Sequence, residues 1–161
     1  MSEKMKLGID PGMSGAVALI AGQRVVHLID MPVMVLGKSR RQVNAAELAK
    51  TIKGWRSAIA ADGSEVTAYL ERVAARPGQG VAGMFNFGVS YGVVQGILGA
   101  LEVPVVLVAP AVWKKRAGLS GAVKDMARTV AQRLYPVADL ARKKDVGRAD
   151  ALLIAYFGDL Q

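Results

Sequence analysis

The sequence predicts an α/β fold, a five-stranded mixed sheet flanked by helices. Three observations point there. The first thirty residues carry three short runs of strand character in close succession. Beyond residue 44, helical periodicities alternate with short β-branched runs, the order in which α/β folds are built. Finally, 161 residues that are 52% hydrophobic suffice for one domain with a real core, and no repeat or linker divides them.

Taken in order, Met5, Leu7 and Ile9 alternate with Lys6, Gly8 and Asp10, which reads as a strand. Pro11-Gly12 and Ser14-Gly15 make a turn. Ala16 to Ala21 is a second strand, and Gly22-Gln23 is a two-residue hairpin turn leading to a third strand, Arg24 to Asp30, stopped at Met31-Pro32. Residues Gly37 to Gln42 read as a polar, basic connection. Asn44 is a helix N-cap, with Glu47 completing a capping box, and the helix carries Leu48, Ile52, Trp55 and Ile59 on one face up to Asp62-Gly63. Val66 to Glu71 is a fourth strand that neighbours the first. Ala75 to Gly83 is a glycine-rich loop, and Met84 to Leu101 a second helix. Val103 to Val108 reads as a buried fifth strand, and Pro110, Lys124 to Leu134 and Arg148 to Phe157 mark three further helices.

The chain has no cysteine and one histidine, His27, so disulfides and nitrogen–sulfur zinc sites are excluded and a reducing compartment is expected. A bound metal would need oxygen ligands, which suits magnesium or manganese. No signal peptide is evident, and the apolar stretches read as too short to span a bilayer, so a cytoplasmic, membrane-free protein is expected. The net charge of +8 and pI near 10 suit a polyanionic partner, nucleic acid first. The positive charge is concentrated between Pro110 and Arg148, where Lys114, Lys115, Arg116, Lys124, Arg128, Arg133, Arg142, Lys143, Lys144 and Arg148 face only Asp125, Asp139 and Asp145.

Four acids stand where structure alone does not require them. Asp10 ends the first strand, Glu71 the fourth, Asp150 lies in the first turn of the last helix, and Asp145 precedes it in a basic loop. Each has an ordinary explanation: a turn residue, a partner for Arg72 or Arg76, a favourable charge at a helix N-terminus. Together they suggest more. Carboxylates converging at neighbouring strand ends repel, and a divalent ion relieves the repulsion. Two such ions about 4 Å apart suit phosphodiester hydrolysis.

At these residues the sequence resembles the RuvC family of Holliday junction resolvases. Gly8-Ile9-Asp10-Pro11-Gly12 with Gly15-Ala16 looks like the family's first active-site strand, the strand ending in Glu71 like its second, and Arg148-Ala149-Asp150-Ala151-Leu152 like its closing helix. The likeness extends through Phe85 to Val93, Pro110 to Lys114, and Lys124. It implies an RNase H-like fold, a homodimer, and magnesium-dependent symmetric nicking of four-way junctions to 5′-phosphate and 3′-hydroxyl ends. Asp10, Glu71 and Asp150 would be catalytic metal ligands. The family's remaining ligand lies three residues before the last aspartate, where this chain has Gly147, so Asp145 is the candidate, with water in the vacancy as the alternative. Lys124 and Lys114 match basic positions facing the scissile strand, Lys124 as a catalytic residue that stabilises developing charge and Lys114 as a phosphate holder. Arg72, Arg76, Lys115, Arg116, Arg128, Lys143, Lys144 and Arg148 complete the expected DNA surface.

The family inserts an aromatic wedge from the segment Arg72 to Met84, but here Ala74 replaces an aromatic residue. Phe85 or Phe87 can substitute, or both can pack in the core. Gly88, Gly92 and Gly96 recur every four residues, which suits close approach of a dimer partner or of the chain's own sheet. Three alternatives remain at this point: a ribonuclease on RNA–DNA hybrids, a non-catalytic DNA-binding protein on a degenerate nuclease fold, and an actin-like ATPase. The last lacks its second domain and second phosphate loop.

Overall fold

The computed structural model describes residues 2–121 and 125–159. In chain order the elements are β1 (Lys4–Asp10), β2 (Ala16–Ala21), β3 (Arg24–Asp30), β4 (Val33–Leu36), β5 (Arg40–Val43), α1 (Ala45–Ala61), β6 (Glu65–Glu71), α2 (Val81–Ala100), β7 (Val105–Val108), α3 (Pro110–Arg116), α4 (Asp125–Leu134) and α5 (Val146–Phe157). The main sheet has five strands in the order β3-β2-β1-β6-β7. β1 is central, antiparallel to β2 and parallel to β6. The sheet is therefore mixed, as the sequence predicts, and the first and fourth strands of the prediction are neighbours.

Local chemistry sets the boundaries. Gly22, at φ +58°, opens the two-residue turn between β2 and β3. Asn44 caps α1: its side-chain oxygen accepts from the Glu47 amide at 3.1 Å, and its amide donates back to the Glu47 carboxylate at 3.3 Å. Strand β2 is buried throughout because both its faces are covered. On one face, Leu7, Ile9, Leu19, Ala68 and Leu70 pack against Leu48, Ile52 and Ile59 of α1 and Val94 and Leu98 of α2. On the other, Ala16, Ala18, Ile20 and Tyr69 pack against α5, with Trp113 and Ala131 of the outer helices.

Four expectations are corrected. The polar connection at Gly37 to Gln42 is half of a second, two-stranded sheet, with Val35 opposite Arg41 and Gly37 turning at φ +61°. Its outward residues are arginines rather than β-formers, so strand propensity hides it. The fifth strand is not buried: Val105, Val106 and Leu107 are 39–46% exposed, because β7 is a sheet edge. α5 begins at Val146, which puts Asp150 in its second turn rather than its first. Helix α2, 20 residues without a charged side chain, is long and apolar enough by length and composition to cross a membrane, against the expectation that no stretch is. Its Ser90, Val94 and Leu98 are nonetheless buried within the protein.

Helix α5 approaches the sheet unusually closely. A Cβ added to Gly8 of β1 would stand 2.0 Å from the Ala151 carbonyl oxygen and 2.7 Å from the Ala155 Cβ. A Cβ on Gly147 would stand 2.3 Å from the Ser14 carbonyl oxygen. Gly147, Ala151 and Ala155 lie four residues apart on one helix face, and these small residues set how near the helix axis comes to the strands. Replacing Gly8 by Ala forces backbone apart, and we expect a stability loss of about 2–3 kcal/mol, or roughly 5–10 °C in Tm. Gly54→Ala, in open space on α1, should instead raise stability by about 0.5–1 kcal/mol. Thermal and urea denaturation of both variants measure the contrast.

Candidate active site

Asp10 and Glu71 are the C-terminal residues of the parallel pair β1 and β6, one step beyond the last registered pair, Ile9 with Leu70. Strand alternation puts both on the α5 face of the sheet, where Gly8 and Tyr69 also point. The sharp turn after Asp10 is tight. A Cβ on Gly15 would meet the Asp10 carbonyl oxygen at 2.1 Å, and the Gly12 amide reaches the Asp10 carboxylate only at a long 3.5 Å. Glu71 is held from the other side. The indole N–H of fully buried Trp113, on α3, donates to its Oε2 at 2.7 Å.

Asp10 and Trp113, though not Glu71, line a cavity of about 690 Å³ together with Gly12, Met13, Ser14, Gly15, Phe87, Lys114, Leu119, Ala127, Lys144, Val146, Gly147 and Asp150. A space of this size, apolar with a few charged groups, is the usual form of a ligand site. Burial and then the negative charge of Glu71 push the Asp10 carboxyl up to about 6, against the Gly12 amide and the Lys114 ammonium, which lower it. The two carboxylates thus repel each other in a poorly solvated place. Asp150 lines the same cavity from α5 and is itself engaged by a partner. Among the described residues, no group of three or more Asp, Glu, His or Cys side chains stands close enough to hold a metal ion.

Asp145, expected as a fourth metal ligand, does not line the cavity. It is 1% exposed, at the N-cap of α5. Its Oδ2 accepts from the Arg142 amide at 2.7 Å and its Oδ1 from Arg142 Nε at 2.8 Å. Burial raises its pKa, but the side-chain and backbone hydrogen bonds from Arg142, with the charges of Arg142 and Arg148, outweigh this and hold it below the usual carboxylate range. Both oxygens are committed to cations and amides. Nor can position 147 supply a ligand, since any side chain there would run into the Ser14–Gly15 backbone.

The expected DNA-contacting cations divide into two groups. Arg148 pairs with Asp30 at 2.7 Å and Asp139 at 3.1 Å, and Arg142 also reaches Asp30, so β3 is pinned to α5. Arg128 pairs with Asp125 and donates to the carbonyls of Ala141 and Arg142. Arg116 donates to the Phe157 carbonyl at the end of α5. Arg116, Arg128 and Arg148, like Arg142, are structural as the chain stands. Lys114 and Lys144 line the cavity, and Lys115, Lys143, Arg72 and Arg76 are exposed. Lys124 lies outside the described residues.

Neither phenylalanine of α2 is a core residue. Phe87 forms part of the cavity wall beside Gly12, and Phe85 is 65% exposed. Space around Gly88, Gly92 and Gly96 is open, so these glycines do not pack on the chain's own sheet. His27 stacks on Trp55 with ring centroids 4.7 Å apart, a structural contact. The sequence reading missed the tie between Trp113 and Glu71. The only available signal was the four-residue spacing from Ala109-Pro110 to Trp113 at the end of β7, beside the strand that ends in Glu71.

No family model and no curated protein matches the sequence. Solved structures do. Thermus thermophilus RuvC in complex with a Holliday junction substrate superposes with a TM-score of 0.61 at 18% identity, covering 94% of this chain and 90% of that one. A second Thermus thermophilus RuvC structure gives 0.51 at 19% identity with the same coverage. The fold is of the RuvC type. This chain therefore carries the RNase H-like mixed sheet of that type, with Asp10 and Glu71 at the ends of its neighbouring parallel strands β1 and β6.

Because the folded protein binds a proton on Asp10 more tightly than the unfolded chain does, this group costs stability as pH rises from about 4 through 6, and the full cost persists above. In chelator at pH 8, Asp10→Asn is expected to be more stable than the parent by on the order of 2 kcal/mol. Calorimetry should show the difference shrinking as pH falls toward 4.

Proposed function

We propose that this protein is a metal-dependent, structure-selective endodeoxyribonuclease that nicks four-way and other branched DNA symmetrically, leaving 5′-phosphate and 3′-hydroxyl ends. The observation that carries the reading is Asp10, poorly solvated and repelled by the neighbouring Glu71, at the wall of a cavity that Asp150, Lys114 and Lys144 also line. Supporting it is the RuvC-type fold and the fact that one fold relative is recorded with a Holliday junction.

The donor set fits a hard divalent cation. Magnesium keeps most of its waters and is commonly held by one or two carboxylates plus substrate phosphate, so a ready three-ligand cage is not required. Asp10 and Glu71 would be the principal ligands, with Asp150 joining from α5. Manganese has the same oxygen preference. Bound there, the cation would supply Lewis-acid activation of the phosphodiester and of water. The chain's own groups do the rest. Trp113 fixes the orientation of Glu71. Lys114 and Lys144 draw the phosphate into the cavity and offset its charge, and Phe87 gives an apolar wall that limits water. That the described residues hold no preformed three-carboxylate cluster favours one competing reading, a DNA-binding protein without catalysis.

The open outer face of α2, with Gly88, Gly92 and Gly96 flanked by exposed Phe85 and Val89, suits a two-fold homodimer. Such a dimer would present two cavities to opposed strands of a two-fold junction. The enzyme would act in the cytoplasm.

The decisive experiment is cleavage of a labelled synthetic four-way junction beside linear duplex and an RNA–DNA hybrid. Paired nicks with magnesium or manganese are expected, reduced about 10³-fold in Asp10→Asn and Glu71→Gln. Asp145→Asn should keep magnesium-dependent cutting, because that carboxylate serves α5 and not the cavity. Binding without any cutting leaves the non-catalytic reading. For the dimer, Gly92→Glu/Gly96→Glu should sediment as a folded monomer, since both positions have room for a side chain but not for a partner.

A further inference from the structure

The structure holds a second cationic site, in a part of the chain that reads as a plain connection. The β4–β5 hairpin carries Lys38 at its turn and Arg40 and Arg41 on β5, all exposed. Among the described residues, none of the three enters an ion pair, whereas Arg128, Arg142 and Arg148 in the basic C-terminal third all do. A short groove lies between the hairpin and α2, lined by Met13, Arg40, Arg41, Gln42, Asn86 and Val89, with Ser90 at its floor. Its lining contains no carboxylate, and the first turn of α2 has none either.

The groove adjoins the candidate active site. Met13 lines both spaces, and the consecutive α2 residues Asn86 and Phe87 line one each. Arg40, Arg41, Gln42 and Asn86 thus line a space that adjoins the carboxylate cavity, and they belong to elements other than those that bring Lys114 and Lys144. Guanidinium groups offer paired N–H donors that match phosphate oxygens, and amides add neutral donors. An ordinary solvated charge run needs neither a groove nor contact with the catalytic cavity.

We propose that the β4–β5 hairpin is a DNA-backbone clamp, in which Arg40 and Arg41, assisted by Gln42 and Asn86, bind phosphates of a duplex arm flanking the strand in the cavity. This rests on DNA being the substrate, as proposed above. The clamp contributes affinity and register rather than chemistry, because phosphate contacts position a nucleic acid without reading its sequence.

The test is equilibrium binding of a fluorescent four-way junction and of linear duplex without divalent metal, over a range of salt, with cleavage in magnesium measured in parallel. Arg40→Ala/Arg41→Ala is compared with Lys50→Ala/Lys53→Ala, a pair of equal charge on exposed α1. The hairpin pair should lower the slope of log K against log salt by about 2 and weaken binding about tenfold. Arg40→Lys/Arg41→Lys should restore most of the slope. Equal effects from the hairpin and α1 pairs, or no effect from the hairpin pair, overturn the clamp while leaving the nuclease reading intact. Salt-dependent DNA binding that is lost with Arg40 and Arg41, in a parent protein that never cuts, keeps the clamp and overturns the nuclease. A parent that binds no DNA overturns both.

Discussion

The close packing of α5 on the central strands sets the geometry of everything else. Gly8 and Gly147 leave no room for a side chain between helix and sheet, so the helix backbone rests almost directly on β1 and on the β1–β2 turn. That contact brings Asp150 to the cavity at the end of β1. It also buries seven residues of α5, which makes this helix a principal support of one face of the sheet. Apolar burial of that size is worth many kcal/mol before conformational entropy is subtracted, so the site and the core share one structural element. The site cannot relax without loosening the core.

Electrostatics divides the carboxylates into two kinds. Asp145 is more completely buried than Asp10, yet it stays ionised because Arg142 and Arg148 meet it with hydrogen bonds and charge. Asp10 has little to offset its burial except a long amide contact and a lysine at some distance, and Glu71 repels it. A buried ion pair mainly secures geometry, here the N-terminus of α5 against β3 through Asp30. Two acids that repel each other, as Asp10 and Glu71 do, instead store unfavourable energy that a cation can release.

Positive charge follows the same division. Much of the arginine content of the C-terminal third is internal bracing, so the basic composition of that region overstates its free charge. Among the cations that face solvent, two sets lie at or beside the cavity, the lysines of α3 and the α5 approach, and the arginines of the β4–β5 hairpin. Net charge read from composition is a statement about the whole molecule, and only pairing decides which cations remain available to a polyanion.

The sequence by itself determined most of the framework. Alternation and turn chemistry located β1, β2 and β3, and the Asn44–Glu47 capping box located the start of α1, because those signals are local and the physics that enforces them is local. The three acids at Asp10, Glu71 and Asp150 were legible as a motif, since each sits at the end or start of a readable element. What only the tertiary structure decided depends on contacts between distant segments. Asp145 and Gly147 lie two residues apart, yet one is an ion-pair hub and the other a steric contact with Ser14, which no local pattern distinguishes. The β4–β5 hairpin, the exposure of β7 and the outward face of α2 are likewise invisible locally. Strand pairing and burial belong to the assembled layers, and a residue's own propensity says little about which neighbour will cover it.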